Sequence, residues 1–240
     1  MTSDETDEPP IPRALDLLWR GPRPSRRAGG LTRERIVAAA IDLADSDGLG
    51  ALSMARLAER LGCGTMSLYR HVANKDELVV FMLSQAPAPP PAGSSDGVNW
   101  RGILTDWADG LWGVYHRHPW VLQTASVGPP ADPGQLSWLN AGLAALGGTS
   151  LTERDKFGAV MAVLHFVRGA AALAIGAGAM PDHGYPDLLK RLVDRTRFTA
   201  LSAALDAGVF DDANRNPLAE FHTGLEQLLD GIEVKVAARR

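Results

Sequence analysis

The sequence predicts an all-α protein, with a small N-terminal domain of short helices followed by a larger helical domain. Apolar residues recur at spacings of three and four through nearly every ordered stretch, the period of a helix. Helix-starting residues stand in front of those stretches, with glycine or proline behind them. No stretch shows the strict alternation of a half-buried strand, and there is no internal repeat. The 240 residues suffice for one large domain or two small ones. A composition of 45% apolar and 22% charged residues excludes a mainly disordered chain.

Residues 1–30 read as a disordered extension. The first ten are acidic and 21–30 are rich in Arg, Pro and Gly, too polar to build a core. A short apolar patch, Leu15, Leu17, Leu18 and Trp19, has no assigned place. The first helix is expected over 32–46, capped by Thr32, with Ile36, Ala40, Leu43 and Ala44 on one face and Gly48 stopping it. The second is expected over 53–61, capped by Ser53, with Met54, Leu57, Ala58 and Leu61 sharing a face. Gly62-Cys63-Gly64 forms a tight turn into a very short helix, 65–71, anchored by Leu68 and Val72. Asn74-Lys75-Asp76-Glu77 reads as a capping box opening a helix to about Gln85.

The run 86–98, rich in Pro, Gly and Ser, is a boundary or long loop. A helix over 99–118 then places Ile103, Trp107, Leu111 and Val114 on one side. A short segment over 119–126, a loop over 128–134 and a helix bearing Leu136, Leu139, Leu143 and Leu146 follow, ended by Gly147-Gly148. Ser150 and Glu153 read as a capping box for a long helix that Pro181 terminates. A single helix is expected over 186–207, ended by Gly208. The last helix, 217–237, carries Leu218, Phe221, Leu225, Leu228, Leu229, Ile232 and Val236.

Two short helices joined by a glycine-containing three-residue turn make a helix-turn-helix. The second helix is short and open on one side, as entry into a DNA major groove requires. With Leu68 and Val72 inward, Thr65, Met66, Ser67, Tyr69, Arg70 and His71 face outward. Small hydroxyls near the helix start suit base edges or phosphates, and Tyr69, His71 and Lys75 suit phosphates. The helix N-terminus after Asn74 is a further phosphate position. Helical hairpins with glycine turns also occur in proteins that never touch DNA, so spacing alone leaves both readings open. Charge is uneven. Residues 13–75 carry eleven basic and six acidic side chains, whereas 86–240 carry thirteen and sixteen. A basic head on an acidic body places any nucleic-acid contact in the head.

The run 36–83, above all LAERLGCGTMSLYRHVANKDEL at 57–78, resembles the DNA-binding domain of TetR/AcrR-family transcriptional regulators. The pattern L-Y-x-H-V/F-x-N-K-x-x-L is specific to that family. The resemblance implies that Thr65 and Ser67 read bases and that Ser53, Tyr69, His71 and Lys75 grip phosphates. The later chain is similar to the tetracycline-repressor-like C-terminal domain, through Tyr115-His116-Arg117-His118-Pro119-Trp120 and the run 221–232. The implied fold class is therefore all-α, an N-terminal three-helix helix-turn-helix domain (31–85) followed by a helical ligand-binding and dimerisation domain (99–240).

By that resemblance the partners are a double-stranded DNA operator of near-palindromic sequence, a second copy of the chain, and a small, largely apolar effector that releases the DNA. Repression rather than activation follows from the family alone. One short recognition helix offers few contacts, so specific affinity calls for two half-sites and a two-fold dimer. The long helix 150–180 and the last helix are the pairing candidates, with Arg168, Ala172, Leu225, Leu228, Leu229 and Ile232 at the interface. The alternative, that both are core helices of one subunit, stays open on spacing. Trp107, Trp112, Tyr115, His116, Trp138, Met161, His165 and Phe166 are the candidate effector-pocket residues. An aromatic at helical spacing is more often plain core, and the pocket reading comes from the resemblance. Arg168 is an interface residue or the binder of an acidic effector.

No G-x-S-x-G, P-loop or G-x-G-x-x-G occurs, so no catalytic residues are assigned and an enzyme is not expected. His222 and Glu226, one turn apart, are a weak metal pair that an exposed helix face explains. No metal or cofactor is expected, and a magnesium–tetracycline effector has no residue support. One cysteine, Cys63, excludes an intrachain disulfide and fits a reducing cytoplasm. The N-terminus has no signal-peptide pattern. The most apolar run, 158–180, is interrupted by His165 and Arg168 and reads as a buried helix, not a membrane span. The competing function is a helical ligand-binding or interaction protein without operator recognition.

Overall fold

The computed structural model describes residues 10–21, 30–91, 99–124, 130–178, 185–211 and 216–239. Among them every regular element is helical: α1 (Arg13–Trp19), α2 (Arg33–Asp47), α3 (Met54–Leu61), α4 (Thr65–Tyr69), α5 (Lys75–Gln85), α6 (Trp100–Arg117), α7 (Trp120–Thr124), α8 (Pro133–Ala145), α9 (Glu153–Gly178), α10 (Tyr185–Leu192), α11 (Thr199–Asp206) and α12 (Pro217–Ala237), plus a 3-10 turn, Leu49–Ala51. The chain forms two compact units, Met1–Thr149 and Ser150–Arg240.

In the first unit the caps fall where the sequence puts them. Thr32 accepts from the Arg35 amide at 3.3 Å, Ser53 from Arg56 at 3.2 Å, Asn74 from Glu77 at 2.8 Å and Asn99 from Gly102 at 3.2 Å. Ile36, Ala40, Leu57, Leu68, Val72 and Leu78 are all fully buried, forming one small core across α2–α5. Glu77 reaches back to the Ala73 amide, one residue before the cap, where the sequence suggested the cap itself.

Three expectations for this unit change. Residues 13–19 are helical, not disordered: α1 packs on α5, with Ala14 buried and Arg13 donating to both Glu77 carboxylate oxygens at 2.6 and 2.7 Å. Trp19 donates its indole N–H to the Ala131 carbonyl at 3.0 Å. The apolar patch thus gains a partner that local sequence does not announce. Residues 1–9 and 22–29 lie outside the described residues. Helix α8 starts at Pro133, inside the expected loop, because Asp132 caps it (Gln135 amide, 3.0 Å) and proline suits the first helical turn. Its buried residues are Trp138, Gly142 and Ala145, while Leu136, Leu139 and Leu143 are only half-buried.

In the second unit, α9 packs against α12. The α9 cap is Thr152, not Ser150. Thr152 accepts from the Asp155 amide at 3.2 Å and donates to the Asp155 carboxylate at 2.6 Å. Ser150 instead donates to the Val236 carbonyl at 2.9 Å. Nor is α9 a buried helix. Val160, Val163, Val167 and Ala171 form one covered stripe, while Phe157 and Leu173 lie exposed. Its segment Glu153–Gly176, of mean hydropathy 1.8, is long and apolar enough to cross a membrane, though Arg168 and the α12 contact sit within it. Pro181 lies outside the described residues.

The single helix expected over 186–207 is two helices. Asp194 accepts from the Thr196 amide at 2.8 Å, the Thr196 hydroxyl at 2.7 Å and the Arg197 amide at 3.3 Å, a local turn that competes with the helix. Those donors hold the Asp194 carboxyl below the ordinary aspartate range, the Thr196 hydroxyl foremost. Arg195 then pairs with both oxygens of Asp206 at 2.9 and 3.0 Å.

Candidate nucleic-acid interface

Helix α3 ends in a turn that fixes the angle of α4. Gly62 takes a left-handed conformation (φ 64°, ψ 35°). The Cys63 amide bonds to the Ala58 carbonyl at 3.0 Å, and the Gly62 amide to Glu59 at 3.1 Å. Both bonds are those of a Schellman termination. Helix α4 is then pinned from beneath by Leu68 and Val72, neither with any exposed surface. Everything else on α4 faces out. Thr65 and Met66 are exposed, Met66 at 72%, and Ser67 is half-buried. Tyr69 and Arg70 are exposed and His71 is half-buried. Lys75 projects from the first turn of α5, and the exposed Ser53 caps α3. Arg56 stiffens the frame, donating to Asp47 at 2.6 Å and to the Ala51 carbonyl at 3.3 Å. The result is a rigid short helix presenting hydroxyls, a phenol, an imidazole and a guanidinium to solvent, with the Lys75 ammonium at the start of the next helix. That face suits base edges flanked by phosphates.

The head is tied to α6 and α7 by one carboxylate. Asp45, on α2, accepts from His118 Nδ1 at 2.8 Å and from the Trp120 indole N–H at 2.7 Å. His118 and Trp120 are buried. In the sequence the His118-Pro119-Trp120 run carries only a family resemblance. Asp45 sits on the polar side of its helix, so periodicity gave no signal for a partner 73 residues away.

Residues 36–80 match the bacterial regulatory proteins of the tetR family, and residues 92–236 match the tetracyclin repressor-like C-terminal domain. The chain belongs to the TetR family of transcriptional regulators. It is 34% identical to the HTH-type transcriptional repressor DrrR1 of Streptomyces coeruleorubidus, across 96% of this chain and 88% of that one. It is 28% identical to the tetracycline repressor protein class D of Escherichia coli, across 87% and 92%. Among solved structures it resembles the Streptomyces coelicolor TetR family protein ActR in complex with actinorhodin. That match has a TM-score of 0.75 at 23% identity and covers 87% of this chain and 98% of that one.

Seen as a TetR-family body, the candidate pocket residues fall into different environments. Trp107 and Trp138 are core: their centroids lie 6.5 Å apart, Trp107 donates to the Trp138 carbonyl at 2.8 Å, and Trp138 donates to the Ala88 carbonyl at 2.8 Å. Tyr115 is buried too. Trp112, half-buried, and His116, exposed, meet with ring centroids 4.3 Å apart and planes tilted by 35°. In the second unit Met161 is half-buried and His165 exposed, while Phe166 stacks on Phe221 at 5.8 Å within the α9–α12 packing. Of the expected interface residues, Leu225, Leu229 and Ile232 are already covered inside the chain, because the apolar stripe of α12 faces α9. Each is at most 8% exposed. Ala172 is exposed, and Arg168 and Leu228 are half-buried.

Proposed function

We propose that this TetR-family regulator is a repressor that binds a near-palindromic operator as a homodimer and leaves it when a small, largely apolar molecule binds the body. The observation that carries the DNA-binding reading is the α4 face, anchored by Leu68 and Val72 and presenting Thr65, Ser67, Tyr69, Arg70 and His71 outward beside the exposed Met66. The likeness to the repressor DrrR1 supports the sign of regulation. The likeness to ActR, solved with actinorhodin, supports a small-molecule effector, and the tilted Trp112–His116 ring pair, with His116 exposed, offers one ring surface for it. The exposed small-residue side of α9 supports the dimer. An effector releases DNA only by favouring the non-binding arrangement through differential affinity.

The test is fluorescence anisotropy of the full-length protein on the DNA upstream of its own gene and on a scrambled duplex, over a salt series. Tight, selective and salt-sensitive binding is expected. Lys75→Ala weakens both duplexes and lowers the salt slope by about one unit per subunit. Thr65→Ala instead alters the ranking of operator variants. Equal, weak binding to both duplexes, with a random-sequence selection recovering no preferred site, overturns the proposal.

A further inference from the structure

Beside the recognition helix lies a cleft that the helix-turn-helix does not account for. It has a volume of about 310 Å³ and is walled by α1, the start of α2 and the end of α4. Among the described residues its polar side chains are Arg13, Arg20, Thr32, Arg33, Arg70 and His71, with Glu34 the single carboxylate. Arg13 is committed to Glu77 at 2.6 Å and serves to hold α1 in place. Arg20 pairs, among the described residues, with Asp16, one turn back at 2.9 Å, and its side chain is 66% exposed. A pair of that kind is worth little and opens readily for a better partner. Arg33 is held from below over the Phe81 ring at 5.1 Å, which fixes its position without neutralising it. Arg70 and His71 follow directly on α4 and form the rim.

We infer that this cleft is a phosphate cradle for the DNA backbone, with Arg20 and Arg33 as contacts additional to the helix-turn-helix. The inference rests on the DNA-binding reading of α4. Guanidinium forks match phosphate oxygens in pairs, and a lining dominated by them is the wrong chemistry for an apolar effector. The cleft shares Arg70 and His71 with the α4 face, so a phosphate seated there lies on the track of the same duplex. Helix α1 is thereby part of the DNA-binding head: its anchor on Glu77 brings Arg20 to the rim.

The test uses full-length protein, a labelled duplex of scrambled sequence and the upstream duplex, since backbone contacts are sequence-independent. Arg20→Ala, Arg33→Gln and the pair together are compared with Arg20→Lys and with Arg195→Ala, a matched loss of charge in the second unit. Thermal melting of each variant checks folding, and Arg20→Ala, at an exposed site, leaves the fold intact. The expected result is a salt slope lower by about one unit per subunit for each cradle substitution, with affinity falling several-fold and equally on both duplexes. Arg20→Lys and Arg195→Ala keep the wild-type slope. Unchanged slopes in folded Arg20→Ala and Arg33→Gln, beside a wild type that binds DNA steeply, overturn the cradle alone. A wild type with no salt-dependent binding to either duplex overturns the DNA-binding reading and the cradle with it. Inorganic phosphate is titrated calorimetrically in parallel. Heat lost in Arg33→Gln while the DNA slopes stay unchanged assigns the cleft to a free anion and overturns the DNA backbone as its occupant.

Discussion

A single carboxylate, Asp45, satisfies two buried donors that arrive from a different part of the chain, His118 and Trp120. Removing it leaves an imidazole and an indole N–H without partners, at about 1–3 kcal/mol for each buried group left unpaired. Asp45→Ala is therefore expected to lower the denaturant midpoint well below that of a surface control such as Asp42→Ala, with the m-value unchanged. An equal midpoint would mean that water replaces the carboxylate. Asp155 offers a milder case with a pH signature. Its hydrogen bond from the Thr152 hydroxyl, more than the nearby Arg239 and Lys235, holds its carboxyl below the ordinary aspartate value. A depressed folded-state pKa adds stability that is full above the unfolded value and is lost as pH falls through the folded one. Thr152→Val should return the Asp155 titration, followed by NMR at its carboxyl carbon, towards the ordinary value. The variant's stability deficit should shrink below that pH range.

At the scale of elements, glycine matters where backbone geometry or close approach requires it. A side chain on Gly134, the second residue of α8, would drive its Cβ into the Ser84 carbonyl of α5. Gly134→Ala must push α8 away, at about 1–3 kcal/mol, the usual range for overpacking. Gly62→Ala keeps its space but puts alanine at positive φ, at about 1–2 kcal/mol. Urea unfolding of both variants should show Gly134→Ala as the more destabilised; the reverse order would argue that α8 adapts without strain. The same contrast explains what the sequence made legible. Helices whose start and stop are local were readable from the chain, as with Thr32, Ser53, Asn74 and the turn at Gly62, and so was the outward face of α4, since Leu68 and Val72 lie one turn apart. Helix α1 needs Glu77, 64 residues on, and the Asp45 joint needs His118, 73 residues on; no periodic pattern reports either. The break at Asp194 and the cap at Thr152 turn on which of two neighbouring polar side chains wins a hydrogen bond, which spacing does not decide.

The molecule as a whole exposes a surface that its own packing leaves unexplained. On α9, Gly158, Ala162, His165, Gly169, Ala172 and Gly176 are all exposed and follow one another at alternating spacings of four and three. That is the seam along which two helices cross at a shallow angle. Glycine inside a helix is about 1 kcal/mol less favourable than alanine. Nothing within 4 Å of a Cβ at Gly158, Gly169 or Gly176 would forbid a side chain. Three such glycines on an open face have no reason within the chain, whereas a second α9 approaching closely supplies one. On α12, Leu225, Leu229 and Ile232 are covered by the chain's own core, while Leu228 is half-buried and stays available beside the α9 seam. Sedimentation should find the wild-type protein dimeric. Gly169→Leu should sediment as a monomer with unchanged helical circular dichroism, and its operator affinity should fall by about 100-fold or more as the linkage between half-sites is lost. If the face is merely solvated, Gly169→Ala and Gly169→Leu will both raise stability slightly and neither will change the sedimentation coefficient or the affinity, and the pairing surface must then lie elsewhere.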